Sequence, residues 1–280
     1  MKGRLLAIAL CLMALLPACS SVPTPVLRTQ QAVELAQQSH WQPLVLDTSP
    51  FRLQVFRPAQ WQAHDVLTVY IEGDGLAWLT SSQPSADPTP VTPLALRLAL
   101  AQPEGNAAYL ARPCQFLADQ PSCQRRYWTD ARFAEEVVAA MDQAVEQLKE
   151  QARARELVLV GYSGGAAVAL LLAARRDDVR QVVTVAGNLD HAAWTAHHKV
   201  SPLHRSLNPA DQRQALIGLE QVHLVGALDR ITPPELARQY TAAYPSTAPQ
   251  RLQVMPGFDH ACCWAQGWPD VWRDLSSESP

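Results

Sequence analysis

The stretch from Glu156 to Ala174, ELVLVGYSGGAAVALLLAA, leaves this chain few ways to fold. It opens with Leu157-Val158-Leu159-Val160, an apolar run too short for a lone helix and valine-rich enough for a buried strand. Gly161-Tyr162-Ser163-Gly164-Gly165 follows, and then Ala, Val and Leu residues that read as a buried helix. A strand that turns into a helix within five residues, with serine at the apex, is the nucleophile elbow G-x-S-x-G. The residues two before and two after the serine approach too closely to carry a Cβ, hence the glycines. The turn lifts Oγ clear of the backbone, and the helix aims its first free N–H groups and positive dipole end at that oxygen. The five letters alone arise by chance in roughly one chain in ten of this length. The strand before and small-residue helix after set the stretch apart from the plainer alternative, a glycine turn with a serine helix cap.

The rest of the chain is organised to match. Its 280 residues, 48% hydrophobic, are ample for one sizeable core. A net charge of -3 with no Lys/Arg cluster gives no electrostatic support for nucleic-acid binding. Lys2 and Arg4, the apolar Leu5 to Leu16 and Pro17-Ala18 read as a targeting segment over residues 1–18, too short to span a bilayer. Leu16-Pro17-Ala18-Cys19 resembles a bacterial lipoprotein signal, which implies that Cys19 is acylated and anchors the chain to a membrane. Ser20 after it implies, by the same resemblance, an outer-membrane location facing the periplasm. Residues 19–43 read as a tether with a short helix-capable piece, Gln31 to Gln38, and residues 44–280 as one domain.

Within that domain Arg52 to Phe56 alternates like a half-buried edge strand, and Val66 to Ile71 is a more apolar one. Further strands are read over Ala107 to Ala111, Arg180 to Ala186, Val222 to Val225 and Leu252 to Val254. A Pro/Ser/Thr-rich loop over residues 76–93, long enough to be functional or mobile, precedes a helix over Leu94 to Ala101. Thr129 or Asp130 caps a helix with Phe133, Val137, Met141, Val145 and Leu148 on one face; Pro233-Pro234 opens another, and Ala261 to Asp274 forms the last. Strand–helix alternation of this kind argues for a parallel sheet covered on both faces.

A serine hydroxyl is a poor nucleophile without a base, and the base needs a group to hold its tautomer. On an elbow fold these follow Ser163 in the order acid, histidine, from loops at the carboxyl ends of later strands. Asp229 stands after Val222–Val225, and His260 after Leu252–Val254. Asp190 is a rival acid one strand earlier; Asp259 is adjacent to His260, and neighbouring side chains in extended chain point apart. The other seven histidines read as surface or loop residues, and no Cys or carboxylate falls at metal-ligand spacing with His191 or His197-His198.

GYSGG (161–165), VAGNLDHAAW (185–194), VGALDRITPP (225–234) and GFDHACCW (257–264) together resemble the α/β-hydrolase-fold serine esterases, most of all hydrolase-like lipoproteins of Gram-negative bacteria. The resemblance implies a mostly parallel central sheet with helices on both faces and no cofactor. Ser163 would be the nucleophile, His260 the general base and acid, and Asp229 the orienting acid. The substrate would be a small-molecule or lipid-like ester, with a peptidase, an amidase or a non-catalytic envelope-binding lipoprotein as alternatives. The Gly164 amide would be one oxyanion donor. The family's second donor follows a His-Gly pair; here Glu72-Gly73-Asp74 stands instead, which assigns the Asp74 amide and puts a carboxylate near the oxyanion. Arg112 is a candidate partner for that carboxylate, and the charge hints at a cationic or polyhydroxylated substrate. Beyond Cys11 and Cys19, Cys114, Cys123, Cys262 and Cys263 suggest two bridges in an oxidising compartment. Three connectivities are open, and pairing Cys262 and Cys263 with Cys114 and Cys123 is preferred because a vicinal bond is strained.

Overall fold

The apolar run before Ser163 forms the strand its composition requires, Glu156–Tyr162, with Leu157 to Gly161 buried. Numbered along the chain with its partners, the strands are β1 (Trp41–Asp47), β2 (Arg52–Pro58), β3 (Val66–Ile71), β4 (Asn106–Leu110), β5 (Glu156–Tyr162), β6 (Val179–Val185), β7 (Glu220–Gly226) and β8 (Gln250–Met255). This computed structural model describes residues 22–277. The sheet order is β1-β2-β4-β3-β5-β6-β7-β8. Strands β3 to β8 are parallel, whereas β2 pairs antiparallel with both β1 and β4 and so runs against all the others. A parallel strand is covered on both faces, which is why β3, β5, β6 and β7 carry near-continuous apolar runs.

The helices are α1 (Pro25–Gln38), α2 (Leu94–Ala101), α3 (Glu135–Ala152), α4 (Gly164–Ala173), α5 (His191–His198), α6 (Arg213–Leu216), α7 (Pro234–Ala242) and α8 (Trp264–Ser277). One core packs α3, α4 and α7 on the sheet through residues such as Met141, Leu170 and Tyr240. The other packs α1, α2 and α8 on the opposite face through Ala36, Leu96, Trp264 and Trp268. The expected layering is therefore present.

Several boundaries differ from the sequence reading, each for a physical reason. The segment read as tether is folded from Pro25 onward. Thr24 caps α1, whose Ala32 and Ala36 are buried, and β1 begins at Trp41 rather than joining the domain at Leu44. Pro43 hid that strand, since proline removes a ladder donor; on an outermost strand the loss is tolerated. Because β1 covers it, β2 is not an edge strand. Gln54 looked solvent-facing but is buried, its amide donating to Leu44 O (3.1 Å) and Val55 O (2.8 Å). Helix α3 starts at Glu135, not beside Thr129, because Thr129 Oγ1 is spent on Arg125 O (3.0 Å) at the end of a 3₁₀ turn. Helix α8 starts at Trp264, after a turn over residues 261–263.

The preferred disulfide pairing is also corrected. Cys114 bonds Cys123, and Cys262 bonds its neighbour Cys263. The strands leading to the two pairs, β4 and β8, stand five places apart in the sheet, about 24 Å at ordinary strand spacing, far beyond the reach of a bridge. The loop of His260 is thus not tied to the loop after β4. The targeting segment, Cys11 and Cys19 lie outside the described residues.

Candidate active site

Ser163 occupies the bend between β5 and α4 with φ 52° and ψ −119°, a conformation L-residues adopt only under strain. Close packing holds it there. A Cβ on Gly161 would meet Ala166 Cα and Gly165 O at 2.5 Å, and one on Gly165 would meet Ile71 O at 2.3 Å. The second glycine therefore serves the approach of α4 to the end of β3, a contact the motif alone does not specify. Ser163 N donates to Val185 O (3.0 Å), and its carbonyl accepts from Asn188 N (3.0 Å), fixing the bend to β6.

Asp229 follows β7 and His260 follows β8, the second and third strands beyond β5, so both reach the same edge of the sheet as Ser163. His260 Nε2 lies 3.1 Å from Ser163 Oγ, and His260 Nδ1 lies 2.9 Å from Asp229 Oδ2. Asp229 is buried. It accepts from Ile231 N (2.7 Å), Thr232 N (2.9 Å) and Thr232 Oγ1 (2.8 Å). Burial pushes its pKa up, but the His260 and Thr232 contacts outweigh that and leave it below the ordinary carboxylate range. The carboxylate is thus an ionised partner for the imidazole, whose ring also packs on Tyr162 at 5.3 Å.

The rival acids are occupied elsewhere. Asp190 caps α5 through Ala192 N and Ala193 N (3.0 and 3.1 Å) and accepts from Asn208 Nδ2 (2.8 Å). Asp259 accepts from Ala261 N and Cys262 N (2.8 and 2.6 Å), bracing the turn that the Cys262–Cys263 bond closes.

Gly164 is the first residue of α4, where helix geometry leaves N–H groups unpaired. Against its Cα lies the Asp74 carboxylate, where a Cβ would meet Oδ1 at 2.1 Å. That carboxylate is not free. Arg132 Nη1 donates to Oδ2 at 2.5 Å, and Arg112 Nη1 stands 3.5 Å from Oδ1. Arg112 is the partner expected from sequence; Arg132 was missed. It comes from the turn that replaced the expected first turn of α3, where Arg132 Nε donates to Thr129 O (2.7 Å) and Arg112 donates to Arg132 O. Two guanidinium groups thus offset the carboxylate on which the expectation of a cationic substrate rested. Burial pulls the Arg112 guanidinium down to about 10, with Asp74 opposing, so it remains charged at neutral pH.

Glu72, standing where the resembled family carries histidine, is buried behind the loop. Its Oε1 accepts from Gly73 N (2.9 Å), and burial raises its pKa to about 7, opposed by the Gly73 amide and those of Ala95 and Leu96 at the start of α2. Gln115 Nε2 donates to Gly73 O (2.8 Å), holding the same loop from the other side. Two histidines read as surface residues are in fact buried. His223 lies within β7 beside Thr184 Oγ1 (2.9 Å), and His191 opens α5. Burial lowers His223 to about 3 and keeps it neutral. Among the described residues, no group of three His, Cys, Asp or Glu side chains is placed to hold a metal ion.

Solved structures share this arrangement of strands and helices. A serine hydrolase homologue from Coxiella burnetii superposes with a TM-score of 0.56 at 14% identity, over 85% of this chain and 97% of that one. Est1E from Butyrivibrio proteoclasticus gives 0.59 at 12% identity, over 84% and 98%. TT1662 from Thermus thermophilus gives 0.57 at 18%, over 86% and 99%. The fold is that of the α/β hydrolases. No protein-family model matches the chain, and no curated protein sequence is significantly similar to it. On this fold the bend at Ser163 sits at the carboxyl edge of the parallel strands, where loops from several strands converge.

Proposed function

We propose that this chain is a serine hydrolase that cleaves an ester through Ser163, His260 and Asp229, tethered to the bacterial envelope by a lipid on Cys19. The observation that carries the reading is the continuous contact from Ser163 Oγ to His260 Nε2 (3.1 Å) and from His260 Nδ1 to Asp229 Oδ2 (2.9 Å). In this reading Ser163 Oγ attacks the ester carbonyl while Nε2 takes its proton. The Gly164 and Asp74 amides receive the oxyanion. The imidazolium, stabilised by Asp229, returns the proton to the leaving alkoxide, and the acyl group remains on Ser163. Water then gives a proton to His260 and attacks the acyl-enzyme, and the imidazolium returns that proton to Ser163 Oγ as the acyl–oxygen bond breaks and the acid leaves. No cofactor enters these steps.

A fluorophosphonate probe tests the reading. The folded protein should be labelled and Ser163→Ala should not, while p-nitrophenyl esters of graded chain length locate the acyl preference. Asp229→Asn should lower kcat by about 10³- to 10⁴-fold with the fold intact. A folded protein that takes no label and cleaves no ester belongs to the alternative reading, an envelope binder on a hydrolase fold.

A further inference from the structure

Exposed apolar side chains scattered singly need no account, but gathered at one end of a molecule they mark a contact surface. Five of the exposed ones here stand in loops that follow β3 and β7. Trp78, Leu79 and Val91 are exposed in the loop between β3 and α2, and Leu228 (62%) and Ile231 (47%) flank Asp229 after β7. Strands β3, β5 and β7 are parallel, so all these loops project from the edge of the sheet that carries Ser163. They are also firmly held. Leu76 N donates to Pro88 O (3.1 Å), Trp128 Nε1 to Ser85 O (3.2 Å) and Leu228 N to Phe258 O (2.9 Å). Arg230, exposed between Leu228 and Ile231, adds the charge that anionic headgroups attract.

The chain enters the domain at this same edge. Strand β1 runs with the parallel set, so its first residue lies at the far edge, and α1 ends there. The 14 residues of α1 span about 21 Å, which brings its first turn, with Val26 77% exposed, back to the Ser163 edge. A buried clamp fixes it. Arg28 donates to Thr89 O and, at 3.4 Å, to Asp87 Oδ1, both in the loop that displays Trp78 and Leu79. From Cys19 to the cap residue Thr24 there are five residues, at most about 17 Å of extended chain.

We infer that the Ser163 edge of the domain rests on the lipid bilayer, with Trp78, Leu79, Val91, Leu228 and Ile231 dipping into its surface, so that esters held in that bilayer are the substrates. The anchor and the hydrolytic role belong to the function proposed above; the contact itself follows from where the apolar side chains stand and where α1 begins. A short leash on Cys19 holds the domain by this edge, and the opposite edge, about 20 Å further away, faces the aqueous side.

The test uses the full acylated protein in vesicles of phosphatidylethanolamine and phosphatidylglycerol carrying lipids brominated along the acyl chain. Bromine quenching of tryptophan fluorescence should exceed that of Trp78→Phe, and the excess should vanish in Leu79→Asp/Val91→Asp. That double variant should hydrolyse a short soluble ester as the parent does, yet cleave a vesicle-borne ester lipid about tenfold more slowly. Equal quenching in the parent and Trp78→Phe overturns the inference, as does an unchanged rate on the ester lipid in the double variant. Quenching reads the contact without catalysis and fluorophosphonate labelling reads the nucleophile without lipid, so failure of one reading is separable from failure of the other.

Discussion

Ser163 depends on charges it does not touch. The Asp74 carboxylate stands against the Cα of Gly164, where an unpaired anion would oppose the oxyanion of the proposed acyl transfer. Arg132 and Arg112 neutralise it. Arg132→Ala should therefore lower kcat about 10²-fold with KM nearly unchanged, and weaken a boronic acid that mimics the tetrahedral adduct by a similar factor. The double variant Asp74→Asn/Arg132→Ala should recover most of both. A merely structural Arg132 would show lost thermal stability without the kcat-selective loss. Glu72 gives a second prediction at this scale. Its pKa is raised to about 7 in the folded chain, so its contribution is complete below the unfolded value and is lost as pH rises through about 7. Relative to Glu72→Gln, urea unfolding should show the wild type losing up to about 3 kcal/mol between pH 4.5 and 7.

At the scale of elements, the elbow is held from both sides. Gly165 faces the last carbonyl of β3, and Gly165→Ala should push α4 off that strand, costing a few kcal/mol and slowing fluorophosphonate labelling. Thermal unfolding and labelling kinetics measure the two effects. The elbow and the strands around it were legible in the sequence because buried parallel strands are written as unbroken apolar runs. Asp229 was legible because it follows such a run, and His260 because it follows the short, half-buried last strand in the chain order that an elbow serine requires. What could not be read has an equally local cause. Pro43 disguised β1, whose edge position excuses the missing donor. Thr129 looked like a helix cap, yet its hydroxyl closes the preceding turn and leaves Arg132 free to swing toward Asp74. Pairing cysteines by spacing ignored the strand order that keeps Cys114 and Cys262 apart. A lone Arg or Glu carries no periodic signal, so the cluster behind the Gly73–Asp74 loop became visible only in three dimensions.

Across the whole molecule, α8 closes the structure on its beginning. Trp268 Nε1 donates to Tyr70 OH (2.9 Å), which donates to Gln102 Oε1 (2.7 Å), joining the last helix to β3 and the end of α2. Trp268→Ala should cost about 3–5 kcal/mol in urea unfolding. Its effect on ester turnover should be smaller where the variant remains folded, since Trp268 packs under the sheet and away from Ser163. The order of strands across the sheet nearly repeats their order along the chain, with only β3 and β4 exchanged. A polypeptide emerging amino end first thus builds outward from one margin, and the strand that delivers His260 is laid down last. Until residue 260 has been made, the growing chain holds a serine without the imidazole that stands 3.1 Å from it in the finished fold.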